Sequence, residues 1–113
     1  MKVAKHALTD MLMAGGAIAE SIDGLTLANF RQSKRLQQLV YEELDNLRAS
    51  AYRLPKQYRD YHSTLPFTTL DQFDVETTPK PPDPELIWRF ITGELPTILK
   101  HVDELLHFDP WDT

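Results

Sequence analysis

Residues 33–55 read SKRLQQLVYEELDNLRASAYRLP. Leu36, Val40, Leu44, Leu47, Ala51 and Leu54 follow one another in steps of four, four, three, four and three. That spacing lines one face of a helix with 3.6 residues per turn. Ser33 stands where an N-cap is needed, since its hydroxyl can accept from an orphan N–H of the first turn. Pro55 lacks an N–H and its ring breaks or kinks the run. A long amphipathic helix is therefore predicted from Ser33 to about Leu54, and its apolar stripe needs other helices to cover it.

Two further stretches supply that cover. Downstream, Asp83 can cap, Pro84 suits the first helical turn and Glu85 complements the helix dipole. Ile87, Ile91, Leu95, Ile98, Val102 and Leu105 then recur in steps of three and four, which predicts a last helix with Pro96 as a kink near its middle. Upstream, residues 4–23 form a helix in which Leu8, Leu12, Ala19 and Ile22 share a face, flanked by Met11 and Ile18. Gly15 and Gly16 sit inside it at a cost of about 1 kcal/mol each relative to alanine, a cost that goes with close approach of a neighbouring helix backbone or with a kink. Asp23-Gly24 is a stop signal, Gly24 suiting a left-handed C-cap. Lys2 and Lys5 ahead of the small-residue run Met11 to Ala19 resemble a secretory leader, but the run is short and Asp10 interrupts its extension, so a core helix is expected there.

The remaining pieces connect. Residues 25–32 link the first two helices, with Leu25, Leu27 and Phe30 turned toward the core. Lys56 to Tyr61 is a short helical turn carrying Tyr58 and Tyr61. Leu65-Pro66-Phe67 turns the chain, Thr68 to Phe73 is another short helix with Leu70 and Phe73 inward, Thr77 to Pro82 is a proline-stiffened loop, and residues 108–113 form a tail. Strand-like alternation is absent, and no Asn-Gly or Asp-Gly makes a hairpin between apolar runs. The expected fold is all-α: an up-and-down bundle of four to five helices with a kinked last helix, forming a single domain over 1–113. Burial of each core side chain contributes about 1.5–3 kcal/mol and chain entropy offsets most of it. A dimer that covers further apolar helix face is a natural supplement.

Composition narrows function. The net charge of −5 and pI near 5.2 run against tight nucleic-acid binding, which needs clustered Lys and Arg. The absence of cysteine excludes disulfides, thiolate zinc sites and cysteine nucleophiles. No apolar run reaches the roughly 18 residues of a membrane span. His101 and His107 are six apart, off the i, i+4 spacing of a helical zinc pair, so no metal is expected. Asp71, Asp74 and Glu76 lack a nearby nucleophile and read as a polar loop. Phosphate-binding glycine loops and nucleophile elbows are absent. Met11 and Met13 read as core filler. Tyr58, Arg59, Tyr61 and His62 read as a helix end whose cations complement the dipole. No cofactor is expected.

In order along the chain stand Asp10, then Asp23-Gly24-Leu25 and Phe30, then Glu43 through Ala51 with Arg53-Leu54, then Tyr58-Arg59, His62 and Leu65-Pro66-Phe67, and lastly Asp83-Pro84-Glu85-Leu86-Ile87-Trp88 with Leu95-Pro96. In this order and spacing the chain resembles, over about residues 7 to 106, the HepT-like branch of the HEPN superfamily, the small helical partners of minimal nucleotidyltransferases. The resemblance implies a bundle of four to five helices, a homodimer and a location in the prokaryotic cytoplasm. It also implies a ribonuclease toxin neutralised by a nucleotidyltransferase antitoxin that can modify it with AMP. Family chemistry rests on an Arg, four to six residues, a His, and a Tyr two beyond. Arg stabilises charge on the phosphate, and His acts as acid or base or polarises the 2′-hydroxyl.

This chain departs from the pattern at that motif. Counting forward from Pro66, Arg falls on Asp74, His on Pro79 and Tyr on Pro81. The nearest Arg–His pair elsewhere is Arg59 and His62, which is too close. An acidic residue in place of the Arg repels an RNA phosphate, and Pro79 transfers no proton. The resulting expectation is a non-catalytic dimer that binds a protein partner, a nucleotidyltransferase or an HEPN paralogue, in a toxin–antitoxin or nucleotidyltransferase system, with RNA not expected as a ligand. The alternative is an endoribonuclease using a displaced site of Arg59, His62 and Asp74. A third reading is a structural dimer with a small ligand between helices.

Overall fold

The computed structural model describes residues 2–61, 67–73 and 83–108. Among these residues there is no strand, so the chain is all-α as the periodicity predicts. Helix α1 spans Lys2–Ile22, α2 Leu27–Gln32, α3 Lys34–Tyr52, α4 Lys56–Tyr61 and α5 Phe67–Leu70, the last running into a 3-10 turn at Asp71–Phe73. Helix α6 spans Pro84–Arg89, a π-helical turn covers Phe90–Glu94, and α7 completes the segment at Leu95–Phe108.

Helix α3 is the central element. Ser33 Oγ accepts from the Leu36 N–H at 3.1 Å, and Val40, Leu44, Leu47, Ala51 and Leu54 are buried in the core together with Tyr41. Leu36 is half-buried. The helix stops at Tyr52, two residues before Leu54, and Arg53 N–H closes the last turn on the carbonyls of Ala49 and Ser50. Pro55 disfavours helical geometry at the residue ahead of it.

Helix α1 packs on α3 and α7 together. Its buried line is Ala4, Ala7, Leu8, Met11, Ala14 and Ile18, so the core face is rotated from the expected one, with Leu12 and Ile22 half-buried and Ala19 exposed. Contact with two partners sets that rotation. Gly15 faces α7 closely, and a Cβ at this position would lie less than 3.0 Å from Cγ and both Cδ atoms of Leu99. The close approach is thus to a side chain of the neighbouring helix rather than to its backbone. Gly16 meets nothing within 4 Å. Gly24 has φ 76°, the left-handed geometry expected of a helix stop.

The segment expected as a plain connection contains α2. A reciprocal cap starts it, Thr26 Oγ1 accepting from Asn29 N–H at 3.2 Å and Asn29 Oδ1 accepting from Thr26 N–H at 3.0 Å. Asparagine stands where the usual signature carries Glu or Gln. Phe30 is buried, its ring centre 5.5 Å from that of Trp88, whereas Leu25 is exposed and Leu27 only half-buried.

The last helix is widened before Pro96, over Phe90–Glu94. Leu95 N–H donates to Phe90 O, a wider i to i−5 bond. Proline has no N–H for the Thr92 carbonyl and its ring crowds that carbonyl. The widened turn absorbs the mismatch by carrying one more residue than an α-turn. Ile87, Ile91, Leu95, Ile98 and Val102 are buried as predicted, with Leu105 partly so. Leu70 and Phe73 point inward, Phe73 lying 5.0 Å from the Phe90 ring centre.

Candidate functional site: the outer α1–α3 groove and the Arg59 corner

Asp10, near the start of α1, pairs with Arg53, which follows α3. Ala17, a little under two turns further along α1, shares a groove with Glu43 and Asn46 of α3. The two helices therefore run antiparallel and leave between them an open groove of about 550 Å³. Its lining includes the small residues Ala14 and Ala17 from α1 and Ala49 and Ser50 from α3. The Asp10–Arg53 ion pair closes one end. At the other, Glu43 accepts from Asn46 Nδ2 at 3.3 Å.

Met13 stands on the rim and is 68% exposed. This corrects its assignment to the core, since only Met11 is buried there. The two residues differ by about 200° around the helix, so a stripe covering Met11 leaves Met13 outside. Leu39 is 42% exposed and sits on the α3 stripe that continues through Glu43, Asn46, Ser50 and Arg53. Among the described residues the groove is lined by alanines and Met13, with Asp10, Glu43, Asn46, Ser50 and Arg53 as its polar members, and the Arg53 guanidinium is engaged with Asp10.

The corner between α3, α4 and the 3-10 turn holds the one described member of the predicted ribonuclease alternative. Arg59 Nε donates to the Leu54 carbonyl at 3.1 Å, and its guanidinium carbon lies 5.1 Å from the Tyr52 ring centre. Arg48 approaches the same ring at 6.0 Å and pairs with Asp45 at 3.3 Å. Tyr52 OH donates to Asp71 Oδ2 at 3.0 Å. Burial, then the hydrogen bond to Asp71 and its negative charge, raise the Tyr52 pKa above the ordinary phenol value, with Arg59 and Arg48 pulling the other way. Phenol and carboxylate thus form a neutral-donor, charged-acceptor pair that links α3 to the 3-10 turn. His62 and Asp74 lie outside the described residues, as do Glu76, Pro79 and Pro81.

His107 Nδ1 lies 2.9 Å from the Asp103 carbonyl oxygen and 3.3 Å from Asp103 Oδ1, one turn apart on α7. Among the described residues no cluster of three or more His, Cys, Asp or Glu side chains could hold a metal ion, and no helix is long and apolar enough to cross a membrane. No family model, no curated protein and no solved structure matches this chain.

Sequence reasoning missed the groove. The signal was present in apolar residues lying off the core stripes, Met13 and Ala17 on α1 and Leu39 and Ala49 on α3. Met13 reads as core filler and Ala17 as part of a small-residue run, and only the pairing of the two helices brings these residues to one face.

Proposed function

We propose that this chain is a HepT-like HEPN protein without ribonuclease chemistry, acting by binding. It forms a homodimer and engages a protein partner, a nucleotidyltransferase or an HEPN paralogue, in a toxin–antitoxin system. One observation carries this reading: the segments resembling the family run through the chain in order, while no Arg anywhere is followed by a His at the spacing the chemistry needs. Asp74 and Pro79 occupy the positions reached by counting from Pro66. An anion and a side chain without a titratable proton reverse both requirements of phosphodiester cleavage, charge stabilisation and proton transfer.

The engagement of Arg59 gives further support. A guanidinium bound to a backbone carbonyl and stacked on Tyr52 must give up those contacts before it can take a phosphate. The all-helical fold agrees with an up-and-down bundle of the family kind. Expression of the chain alone in bacteria tests the proposal. Growth is expected to continue at a level of protein at which an active HepT-like toxin arrests it. Arrest that disappears with His62→Ala would overturn the reading in favour of the displaced Arg59, His62 and Asp74 site.

A further inference from the structure

We infer that the outer α1–α3 groove is the seat of a second copy of this chain, docked antiparallel so that Arg53 of each copy faces Glu43 of the other. The inference rests on the dimeric reading above and names its surface and register.

Shape argues first. Met13 is 68% exposed beside a hollow whose lining includes Ala14, Ala17 and Ala49. A flexible thioether side chain beside a small-residue hollow is self-complementary, because each copy offers one knob and one hole. Size is adequate. Helices α1 and α3 have 21 and 19 residues, about 30 Å each at 1.5 Å per residue. Two such helices at a spacing of about 10 Å present a face of roughly 600 Å², near the approximately 800 Å² per partner of a standard stable interface. The apolar surface also continues past Glu43 to exposed Leu39.

Charge sets the register. A two-fold axis lying across the helices pairs α1 with α1 and α3 with α3, each antiparallel. Centred on the groove, it sets Asn46 opposite Ser50, Glu43 opposite Arg53 and Met13 opposite Ala14. Every Glu43 then gains a guanidinium. Arg53 has five N–H donors, enough to hold Asp10 of its own chain and Glu43 of the other copy. An axis running along the helices would instead exchange one Asp10–Arg53 pair for another. It would leave Glu43 facing Ala17, desolvating a carboxylate without compensation.

The chain has no cysteine, so a single introduced thiol reports on the face. Met13→Cys sits close to the proposed axis, and Leu86→Cys places a thiol on exposed α6 as control. Under mild oxidation Met13→Cys is expected to cross-link into a covalent dimer and Leu86→Cys to remain uncross-linked. In sedimentation of the uncross-linked protein, Arg53→Glu and Glu43→Arg are each expected to weaken self-association about tenfold or more, as truncating a close interfacial charge pair does. The double variant is expected to recover it to within about threefold of wild type, helix content by circular dichroism being equal throughout. Cross-linking without recovery in the double variant overturns the register. A dimer that fails to cross-link through Met13→Cys and ignores both charge reversals overturns the face and leaves the dimeric reading intact. A wild-type protein that stays monomeric at high micromolar concentration overturns both.

Discussion

Helices α1 and α3 each have an inner face buried in the core and an outer face beside the groove. On α3 the inner stripe Val40, Leu44, Leu47 and Ala51 is buried, while on the outer stripe Glu43, Asn46, Ser50 and Arg53 line the groove and Leu39 lies exposed beyond it, only Ser50 being closed off. On α1 Met11 is buried and Met13 exposed; Gly15 is pressed by Leu99 while Gly16 is open. On α1 the same residue types, Met and Gly, stand on both sides. What separates them is whether this chain itself supplies the covering atoms. The inner faces hold the fold together, and the outer faces are left uncovered by the described residues.

Matched substitutions break or sharpen that contrast. Leu44→Ala opens a cavity at a fully buried site and is expected to lower stability by about 2–5 kcal/mol, against at most about 0.5 kcal/mol for Leu39→Ala. Urea denaturation at low protein concentration, where association contributes nothing, measures both. Equal losses would mean that the outer face is part of the fold. The glycine pair should separate in sign. Gly15→Ala forces Leu99 aside and is expected to cost about 1–3 kcal/mol, with Leu99→Ala reducing that cost in the double variant. Gly16→Ala adds helix propensity into open space and is expected to stabilise by about 0.5–1 kcal/mol. Thermal unfolding of the two single variants decides it.

A smaller effect belongs to the Arg59 corner. The Tyr52 pKa is raised in the folded state, so between the unfolded phenol value near 10 and the higher folded value the folded chain binds more protons. The stability this supplies is full below the unfolded value and is lost as pH rises through the folded one. Unfolding free energy should therefore fall above about pH 10, and Tyr52→Phe should flatten that part of the fall. Denaturation measured at pH 9 and pH 11 checks it. An unchanged slope would mean that Asp71 does not hold the phenol proton.

The fold was largely legible in the chain. The stripes of α3 and of Ile87 to Val102 gave the right buried residues because apolar side chains at helical spacing share one face. Helix α1 was read one step off, since Leu12 and Ala19 fit a stripe as well as Ala14 and Ile18 do until α7 is known to approach Gly15. Helix α2 escaped because Asn29 closes its cap where Glu or Gln is the usual mark. The sequence points to Pro96 as the irregular position, and the structure places a π-helical turn at Phe90–Glu94, since proline disturbs the turn that precedes it. The groove was least legible. A pattern within one helix shows what is apolar, but only the pairing of two helices shows which apolar residues are left uncovered.

The most direct test of the account is RNA cleavage by purified, metal-stripped protein, against tRNA and mRNA, beside an active HepT-like control. Intact RNA is expected at a concentration at which the control digests it completely, with no difference between the wild type and His62→Ala. Cleavage that co-elutes with the protein and is lost in His62→Ala or Arg59→Ala would contradict it.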